Sequence, residues 1–221
     1  MLKVNKKPII NYIVDNLNKV KLVDEIIVVT NNKFIDKFRE WKARVKSPKK
    51  ISLVDDRTKS NEDRLGAIGD INFVLKNRGI KDGLLVIGGD NLFNGSIKDF
   101  VDFALRNKPN TAIAAYRLRD IKDAGKYGVL KIDKNNRVTE FKEKPAKPDS
   151  SLVAMCLYHI PRQQLSLVNV YMRFKKYKTD AIGKYIDWLK GQVDIYCYVF
   201  KGAWYDIGDY KYLNAAKKRF A

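Results

Sequence analysis

The sequence predicts a doubly wound α/β fold, and two observations support this. Along the first half of the chain, apolar residues at helical spacing alternate with short β-branched runs, which is the rhythm of such sheets. An apolar run at residues 84–87 is then followed at once by Gly88, Gly89 and Asp90. In open α/β sheets, ligands bind beyond the carboxyl ends of the strands, so this turn is the first candidate for a site.

In the first half of the chain, predicted helices alternate with predicted strands. Pro8 suits the first turn of a helix, and Asn31 and Asn32 can cap a second one. The glycine pair Gly66 and Gly69 lies at the start of a third helix. The pattern predicts helices at residues 8–20, 31–41 and 64–79 and strands at residues 25–30, 51–54 and 84–87.

The second half contains a hairpin. Residues 127–132 and 137–141 are strand-like and flank an Asp- and Asn-rich turn, so residues 127–160 are expected to form the far wall of a cleft. The remaining pattern predicts helices at residues 96–105, 161–177 and 210–220, a helix that Thr179 and Asp180 start and Gly191 stops, and strands at residues 111–118, 152–160 and 193–200.

The composition limits the classes of function that the protein can have. Lys and Arg outnumber Asp and Glu by 44 to 25, giving a net charge of +19, but the basic residues are scattered and favour solvated faces over a nucleic-acid surface. Cys156 and Cys197 lie in apolar runs, which is typical of reduced thiols in a cytoplasmic protein. His159, the sole histidine, is interpreted as structural, and it leaves histidine metal sites and a Ser-His triad hard to build. No apolar run has the length of a membrane span or of a signal region.

Asp90 has two interpretations from its surroundings alone. A hard carboxylate after a glycine turn suits Mg²⁺ and, through the metal, phosphate. The same residue type also caps helices and stabilises turns. A second glycine-flanked acid, Asp206, follows in the run Gly202-Ala203-Trp204-Tyr205-Asp206-Ile207-Gly208, where Trp204 is expected to pack beneath the acid.

Four motifs stand in a recognisable order. They are Gly66, Asp90, Glu143-Lys144-Pro145 and Asp206-Ile207-Gly208, with supporting matches at residues 3–10 and 127–129. Together they resemble the sugar-phosphate nucleotidyltransferases, the family of glucose-1-phosphate thymidylyl- and uridylyltransferases. The resemblance covers residues 1–221. It implies one domain with a Rossmann-like three-layer fold, a mixed central sheet and a β-hairpin insertion at residues 127–160 on the sugar side.

The resemblance implies a reaction. Such enzymes transfer a nucleoside monophosphate from a nucleoside triphosphate, here UTP or dTTP, to a sugar 1-phosphate and release pyrophosphate, as in nucleotide-sugar and polysaccharide biosynthesis. By resemblance, Asp90 and Asp206 hold Mg²⁺ against the α-phosphate, and Lys144 grips the sugar phosphate. No general base is needed because the attacking phosphate oxygen is already ionised, which agrees with a single histidine.

The resemblance also assigns substrate contacts. Glu143 is implied to accept hydrogen bonds from sugar hydroxyls, Gly128 to meet the sugar through its backbone, and Gly66 to let the nucleobase lie against the chain. The alternatives are a surface ion pair for Glu143 and Lys144, turn geometry for Gly128 and helix packing for Gly66. Expected partners are the triphosphate and the sugar 1-phosphate, with neither nucleic acid nor membrane, and a homo-oligomer is compatible with the family.

Two departures from the family pattern carry expectations. Family members begin with a strand and a glycine-rich loop that holds the triphosphate, whereas Met1-Leu2-Lys3-Val4 resembles the segment after that loop. We therefore expect an N-terminally shortened form, with an unpaired edge on the strand at residues 25–30 or 84–87 and impaired activity. Cys156 stands where the family usually has glycine, which leaves the sugar open.

The alternative functions come from other classes. A catalytically inactive relative would bind the nucleotide or the sugar phosphate, or act as an assembly subunit. A nucleic-acid binder would show affinity that falls steeply with salt, but the sequence contains no recognised nucleic-acid motif.

Overall fold

The computed structural model describes residues 1–60, 62–174, 181–208 and 210–220. Their contacts divide the chain into two compact units. The first unit contains residues 1–65, 89–98 and 202–221, and the second contains residues 66–88 and 99–201. Each unit is therefore assembled from separate stretches of the chain, and the expectation of a single domain over residues 1–221 stays a prediction.

Helices and strands alternate along most of the chain. The helices are α1 (Ile9–Asn18), α2 (Ile35–Arg44), α3 (Gly66–Arg78), α4 (Ile97–Arg106), α5 (Ser166–Arg173), α6 (Ile182–Lys190) and α7 (Tyr210–Arg219). The strands are β1 (Lys3–Val4), β2 (Lys7–Pro8), β3 (Glu25–Thr30), β4 (Lys50–Asp55), β5 (Leu84–Ile87), β6 (Asn91–Phe93), β7 (Thr111–Arg117), β8 (Gly128–Ile132), β9 (Val138–Glu143), β10 (Leu152–Ile160), β11 (Ile195–Val199) and β12 (Trp204–Asp206).

The first unit is built from three strand pairs. Strands β3 and β4 run parallel, while β1 with β2 and β6 with β12 are antiparallel. A small core joins α1, β6 and α7, because apolar side chains of all three elements are buried together. Its buried members are Val4, Ile9, Leu92, Ile207, Leu213 and Ala216. This core holds the β6–β12 pair in place.

The second unit contains a mixed sheet of six strands. Its order is β11-β7-β10-β8-β9, and β5 also pairs with β10. The β11–β7 pair is parallel, whereas β10 pairs antiparallel with β5, β7 and β8. Strand β10 is therefore the centre of the sheet, and the hairpin β8–β9 extends the sheet beyond it. The predicted mixed central sheet is confirmed.

Helices cover both faces of this sheet. Successive residues of a strand point to opposite faces, and β11 shows both environments. Cys197 is buried in the core formed with α5 and α6, whereas the ring of the next residue, Tyr198, lies 6.1 Å from Phe100 and 5.6 Å from Phe103 of α4. The arrangement is helix, sheet, helix, which is the three-layer fold predicted.

Strands β3 and β5 each have one pairing partner within the described ranges, β4 and β10 respectively. Their second edges carry no strand from the described part of the chain. Most of their residues are accordingly half-buried, although their apolar, β-branched sequences are typical of strands covered on both faces.

The structure confirms most predicted elements and corrects others. The hairpin turn forms as expected, because the Asp133 carboxylate accepts hydrogen bonds from the backbone of Asn135 at 2.8 Å and Arg137 at 2.9 Å. The single helix expected at residues 161–177 is wrong over residues 161–174, where a 3₁₀ turn at Arg162–Gln164 is followed by the short helix α5. Residues 175–177 of that prediction lie outside the described residues. The predicted helix start at Thr179 and Asp180 lies outside the described residues. Strands β1, β2, β6 and β12 were not predicted.

Cys156 and Cys197 are free thiols, and burial raises the pKa of Cys197 to about 12. In the described residues, no helix combines the length and the apolar character that crossing a membrane would require.

His159 is expected to make the fold sensitive to acid. Its side chain is 8% exposed, and Nδ1 has no hydrogen-bond partner among the described residues. Burial, together with the nearby Lys108, lowers its pKa from 6.5 to about 4. The folded protein therefore binds this proton less readily than the unfolded chain. The contribution of neutral His159 to the free energy of unfolding is complete above pH 6.5 and is lost as the pH falls towards 4. The change is on the order of 3 kcal/mol.

Urea unfolding at pH 7.5 and pH 4.5 measures this effect. The native protein should lose more free energy of unfolding on acidification than the His159→Gln variant, which has no imidazole to charge. An equal loss in both proteins would show that other groups cause the acid sensitivity.

Candidate active site

Two carboxylates meet at one end of the β6–β12 pair. Asp90 immediately precedes β6, and Asp206 is the last residue of β12, opposite Asn91 in the antiparallel register. The backbone N–H of Ile207 donates to the carbonyl of Asp90 at 3.0 Å, which extends the pairing past both acids. Asp90 therefore leads into a strand and does not cap the next helix, which begins at Ile97.

A relay of side-chain hydrogen bonds fixes Asp90. The buried indole N–H of Trp204 donates to Oδ1 of Asn91 at 2.6 Å, and Nδ2 of Asn91 donates to Oδ1 of Asp90 at 3.0 Å. Because the indole can only donate, it sets the orientation of the Asn91 amide and presents its NH₂ group to the carboxylate. Trp204 is therefore a buried residue that orients Asp90 through Asn91.

The two acids repel each other. Asp90 is exposed to solvent on one side, but burial of the rest of its carboxylate raises its pKa. The charge of Asp206 raises this pKa further. Asp206 accepts a hydrogen bond from the backbone N–H of Gly208 at 3.1 Å. In the described part of the chain, no Lys or Arg side chain forms an ion pair with either acid. The pair therefore presents negative charge that a bound cation would offset.

Mg²⁺ fits this donor set. Magnesium favours oxygen ligands and is usually bound by one or two carboxylates together with water and substrate phosphates. Asp90 and Asp206 supply two carboxylates on one strand pair. The described residues contain no group of three or more His, Cys, Asp or Glu side chains placed to hold a metal, so the remaining ligands would come from water and substrate.

In the second unit, Glu143 and Lys144 lie at the open end of the β8–β9 hairpin, beside Gly128. Gly128 is opposite Glu143 in the β8–β9 register, and the backbone N–H of Lys144 donates to the carbonyl of Tyr127 at 3.0 Å. Lys144 has a φ of 45°, a left-handed conformation that is strained for a residue with a side chain. Strain of this kind is concentrated at functional sites, and the Lys144 side chain is exposed.

The Glu143 carboxylate is half-buried between glycines. A Cβ atom at Gly128 would lie 3.2 Å from Oε2 of Glu143 and 2.4 Å from the ring of Phe141, so this glycine makes room for both side chains. Burial raises the pKa of Glu143, while the charges of Lys144 and Lys184 oppose the shift. Glu143 is therefore a carboxylate in a basic, partly desolvated environment.

Gly66 and Cys156 both have left-handed backbones. Gly66 begins α3 with a φ of 72°, a conformation that glycine adopts without steric strain. Cys156 has a φ of 52° at the irregularity in β10 between Ala154 and Tyr158. Glycine would adopt this conformation without strain, in agreement with the glycine usual there in the family that the sequence resembles.

The structure brings together Asp90 with Asp206 in the first unit, and Gly128 with Glu143 and Lys144 in the second. Sequence reasoning overlooked Asn91, Lys184 and Gly183, the last of which adjoins Glu143. Asn91 has a local signal, since it follows the acid directly. Gly183 has none, because its role depends on contact with a residue forty positions earlier.

Comparison with known proteins shows the same fold and a family match. The family model described as "Nucleotidyl transferase" matches residues 1–221. A protein from Bacillus anthracis described as a glucose-1-phosphate thymidylyltransferase, solved with sucrose, is 22% identical with a TM-score of 0.75; the match covers 99% of this chain and 84% of that one.

Two further solved structures are similar. An apo UDP-glucose pyrophosphorylase is 17% identical with a TM-score of 0.79, covering 100% of this chain and 89% of that one. HddC from Yersinia pseudotuberculosis is 19% identical with a TM-score of 0.72, again covering 100% and 89%. These structural likenesses show the fold.

Proposed function

The chain belongs to the nucleotidyl transferase family, and from this premise we propose that it joins a nucleoside triphosphate to a sugar 1-phosphate. An oxygen of the sugar phosphate forms a bond to the α-phosphorus, the bond between the α-phosphorus and the bridging oxygen breaks, and pyrophosphate leaves with that electron pair. The products are a nucleotide sugar and pyrophosphate. UTP and dTTP are the favoured triphosphates, and glucose 1-phosphate is the first sugar to test.

The observation that carries this proposal is the pair of carboxylates Asp90 and Asp206. Their strand pairing places them side by side, and their mutual repulsion is the electrostatic environment that a divalent cation stabilises. Mg²⁺, when bound, offsets negative charge that develops at the α-phosphate. The relay from Trp204 through Asn91 limits the orientations of Asp90, which supports a role in holding a ligand.

The second unit supplies the groups proposed to bind the sugar phosphate. We assign the phosphate to the exposed ammonium of Lys144 and the sugar hydroxyls to the carboxylate of Glu143. The backbone at Gly128 would lie along the sugar, and the backbone at Gly66 along the nucleobase. No proton has to be removed from the attacking oxygen, so these residues act by binding and orienting two anions.

Two assays test the reaction. In the forward direction, the protein with Mg²⁺ is incubated with pairs of nucleoside triphosphates and sugar 1-phosphates, and pyrophosphate is measured. In the reverse direction, labelled pyrophosphate is supplied with a panel of nucleotide sugars. Labelled triphosphate is the expected product. Binding of these ligands without any turnover, in a protein shown to be folded, would overturn the enzymatic proposal and identify an inactive relative.

Lys144→Met is expected to weaken binding of the sugar phosphate selectively. A hydrogen bond to a charged group contributes about 1.5–3 kcal/mol, so the KM for the sugar 1-phosphate should rise by about ten- to a hundredfold. The KM for the triphosphate should stay within about twofold. Initial rates at varied concentrations of each substrate measure both values.

Lys147→Met is the matched control, because Lys147 is an exposed lysine of the same loop. Its kinetic constants should equal those of the unaltered protein. If both substitutions raise the KM equally, the general positive charge of the loop is responsible, and Lys144 has no specific role.

A further inference from the structure

Glu143 occupies the space that a side chain at Gly183 would fill. Gly183 lies in the first turn of α6, and Glu143 is the last residue of β9. A Cβ atom built on Gly183 would lie 1.7 Å from Oε2 and 2.6 Å from Cδ of Glu143, which is closer than nonbonded atoms approach. The Glu143 carboxylate therefore cannot keep this position if residue 183 carries a side chain.

The other close neighbour of a side chain at residue 183 would be Phe141. The added Cβ atom would lie 3.3 Å from Cε1 of its ring, a tight contact that a shift of a few tenths of an ångström relieves. Gly128, on the other hand, protects the buried ring of Phe141, which a Cβ atom would approach to 2.4 Å. The core thus requires Gly128, whereas the two shortest contacts at residue 183 are made by the flexible end of one partly exposed side chain, Glu143.

The carboxylate of Glu143 has unused capacity to accept hydrogen bonds. No donor among the described residues bonds to it, and it is half-buried near the positive charges of Lys144 and Lys184. A partly desolvated carboxylate without a donor is poorly stabilised until a ligand provides one. Hydroxyl groups of a sugar would do so, while a lysine nearby attracts the phosphate of the same ligand.

We propose that Gly183 is a positioning residue, which directs the Glu143 carboxylate towards the hydroxyl groups of the sugar phosphate by leaving its own side-chain space empty. The inference rests on the proposed function for the identity of the ligand. The steric relation between Gly183 and Glu143 does not depend on it.

Gly183→Ala should displace Glu143 without harming the fold. Alanine favours helix more than glycine does, so the melting temperature should stay the same or rise. The KM for glucose 1-phosphate should increase about tenfold, as for the loss of one hydrogen bond to a charged group, and the KM for the triphosphate should not change. A crystal structure of the variant should show Glu143 in another rotamer.

Gly191→Ala is the matched control at the other end of the same helix. Gly191 has a φ of −79°, and among the described residues its added Cβ would come within 4 Å of the Trp188 carbonyl alone, at 3.3 Å. We expect its KM values to equal those of the unaltered protein. An increase as large as that of Gly183→Ala would attribute the effect to helix α6 as a whole and overturn the proposal.

A double-mutant cycle separates positioning from a general structural effect. Once Glu143→Ala has removed the carboxylate, adding Gly183→Ala should not raise the KM for glucose 1-phosphate further. Equal increases in both backgrounds would overturn the proposal, and so would a Gly183→Ala structure in which Glu143 has not moved.

A crystal structure of the Gly183→Ala variant distinguishes failure of this inference from failure of the proposed function. If the unaltered protein neither binds nor converts any sugar 1-phosphate, the function proposed above is wrong, and with it the ligand named here. A displaced Glu143 would still confirm the positioning relation. If the unaltered protein is active and Glu143 keeps its place in the variant, only the inference about Gly183 is wrong.

Discussion

Asp206→Asn is expected to reduce the turnover number by about 10²–10³-fold, and the same loss is expected for Asp90→Asn. Each substitution keeps the shape of the side chain and removes one of the two charges proposed to hold Mg²⁺ against the reacting phosphate. The pyrophosphate-release assay at saturating substrate measures the effect. Asp24→Asn is the control, because Asp24 is an exposed acid of the same unit, and its activity should not change.

The same substitutions should not lower stability at neutral pH. Burial and the neighbouring Asp206 raise the pKa of Asp90 above its ordinary value of 3.8. The folded protein therefore holds this proton more tightly than the unfolded chain, and ionised Asp90 lowers the free energy of unfolding. This destabilisation is complete above the raised pKa and disappears as the pH falls below 3.8. Asp206→Asn should therefore raise the melting temperature at pH 7.5 and have less effect as the pH falls towards 4.

This combination of lost activity and retained stability is diagnostic of a functional pair. Mg²⁺ with the triphosphate should raise the melting temperature of the unaltered protein more than that of Asp206→Asn, because binding to the folded state stabilises it. A variant that loses stability at pH 7.5 in step with its activity would instead identify Asp206 as a structural residue.

Asn91→Ala is expected to lower the free energy of unfolding by roughly 2–4 kcal/mol. Asn91 is 3% exposed, accepts the bond from the Trp204 indole at 2.6 Å and donates to the Asp90 carboxylate at 3.0 Å. Alanine removes both bonds, and a buried donor that loses its acceptor is penalised more than the mean value of a hydrogen bond. Turnover should fall as well, because Asp90 loses the group that orients it.

Urea unfolding measures this loss, and Asn77→Ala provides the comparison. Asn77 is exposed, and its side chain donates to the Phe73 carbonyl of its own helix, so its substitution should change stability by less than about 0.5 kcal/mol. In the double variant with Trp204→Phe, the losses should be less than additive, since both substitutions remove the same bond. Strictly additive losses would show that the two side chains act independently.

Local patterns predicted the elements with strong periodicity. The strand at residues 84–87 was placed correctly because its apolar run ends at a glycine pair, and the hairpin because its Asx-rich turn interrupts two β-branched runs. The helix expected at residues 161–177 was wrong, since its apolar spacing is weak and only a 3₁₀ turn and α5 form there. Strands of three residues such as β6 and β12 carry too little sequence for any periodicity to show.

The sequence by itself determined which residue types were available for the chemistry: two glycine-flanked acids, a Glu-Lys pair before a proline, and one histidine set in a strand. Only the tertiary structure decided how they are used. The antiparallel register of β6 and β12 joins Asp90 to Asp206 across more than a hundred residues, and the packing of α6 beside β9 lets Glu143 fill the space above Gly183. Such contacts depend on which distant elements pack together, and the free energy of that packing is a property of the whole chain that no local pattern contains.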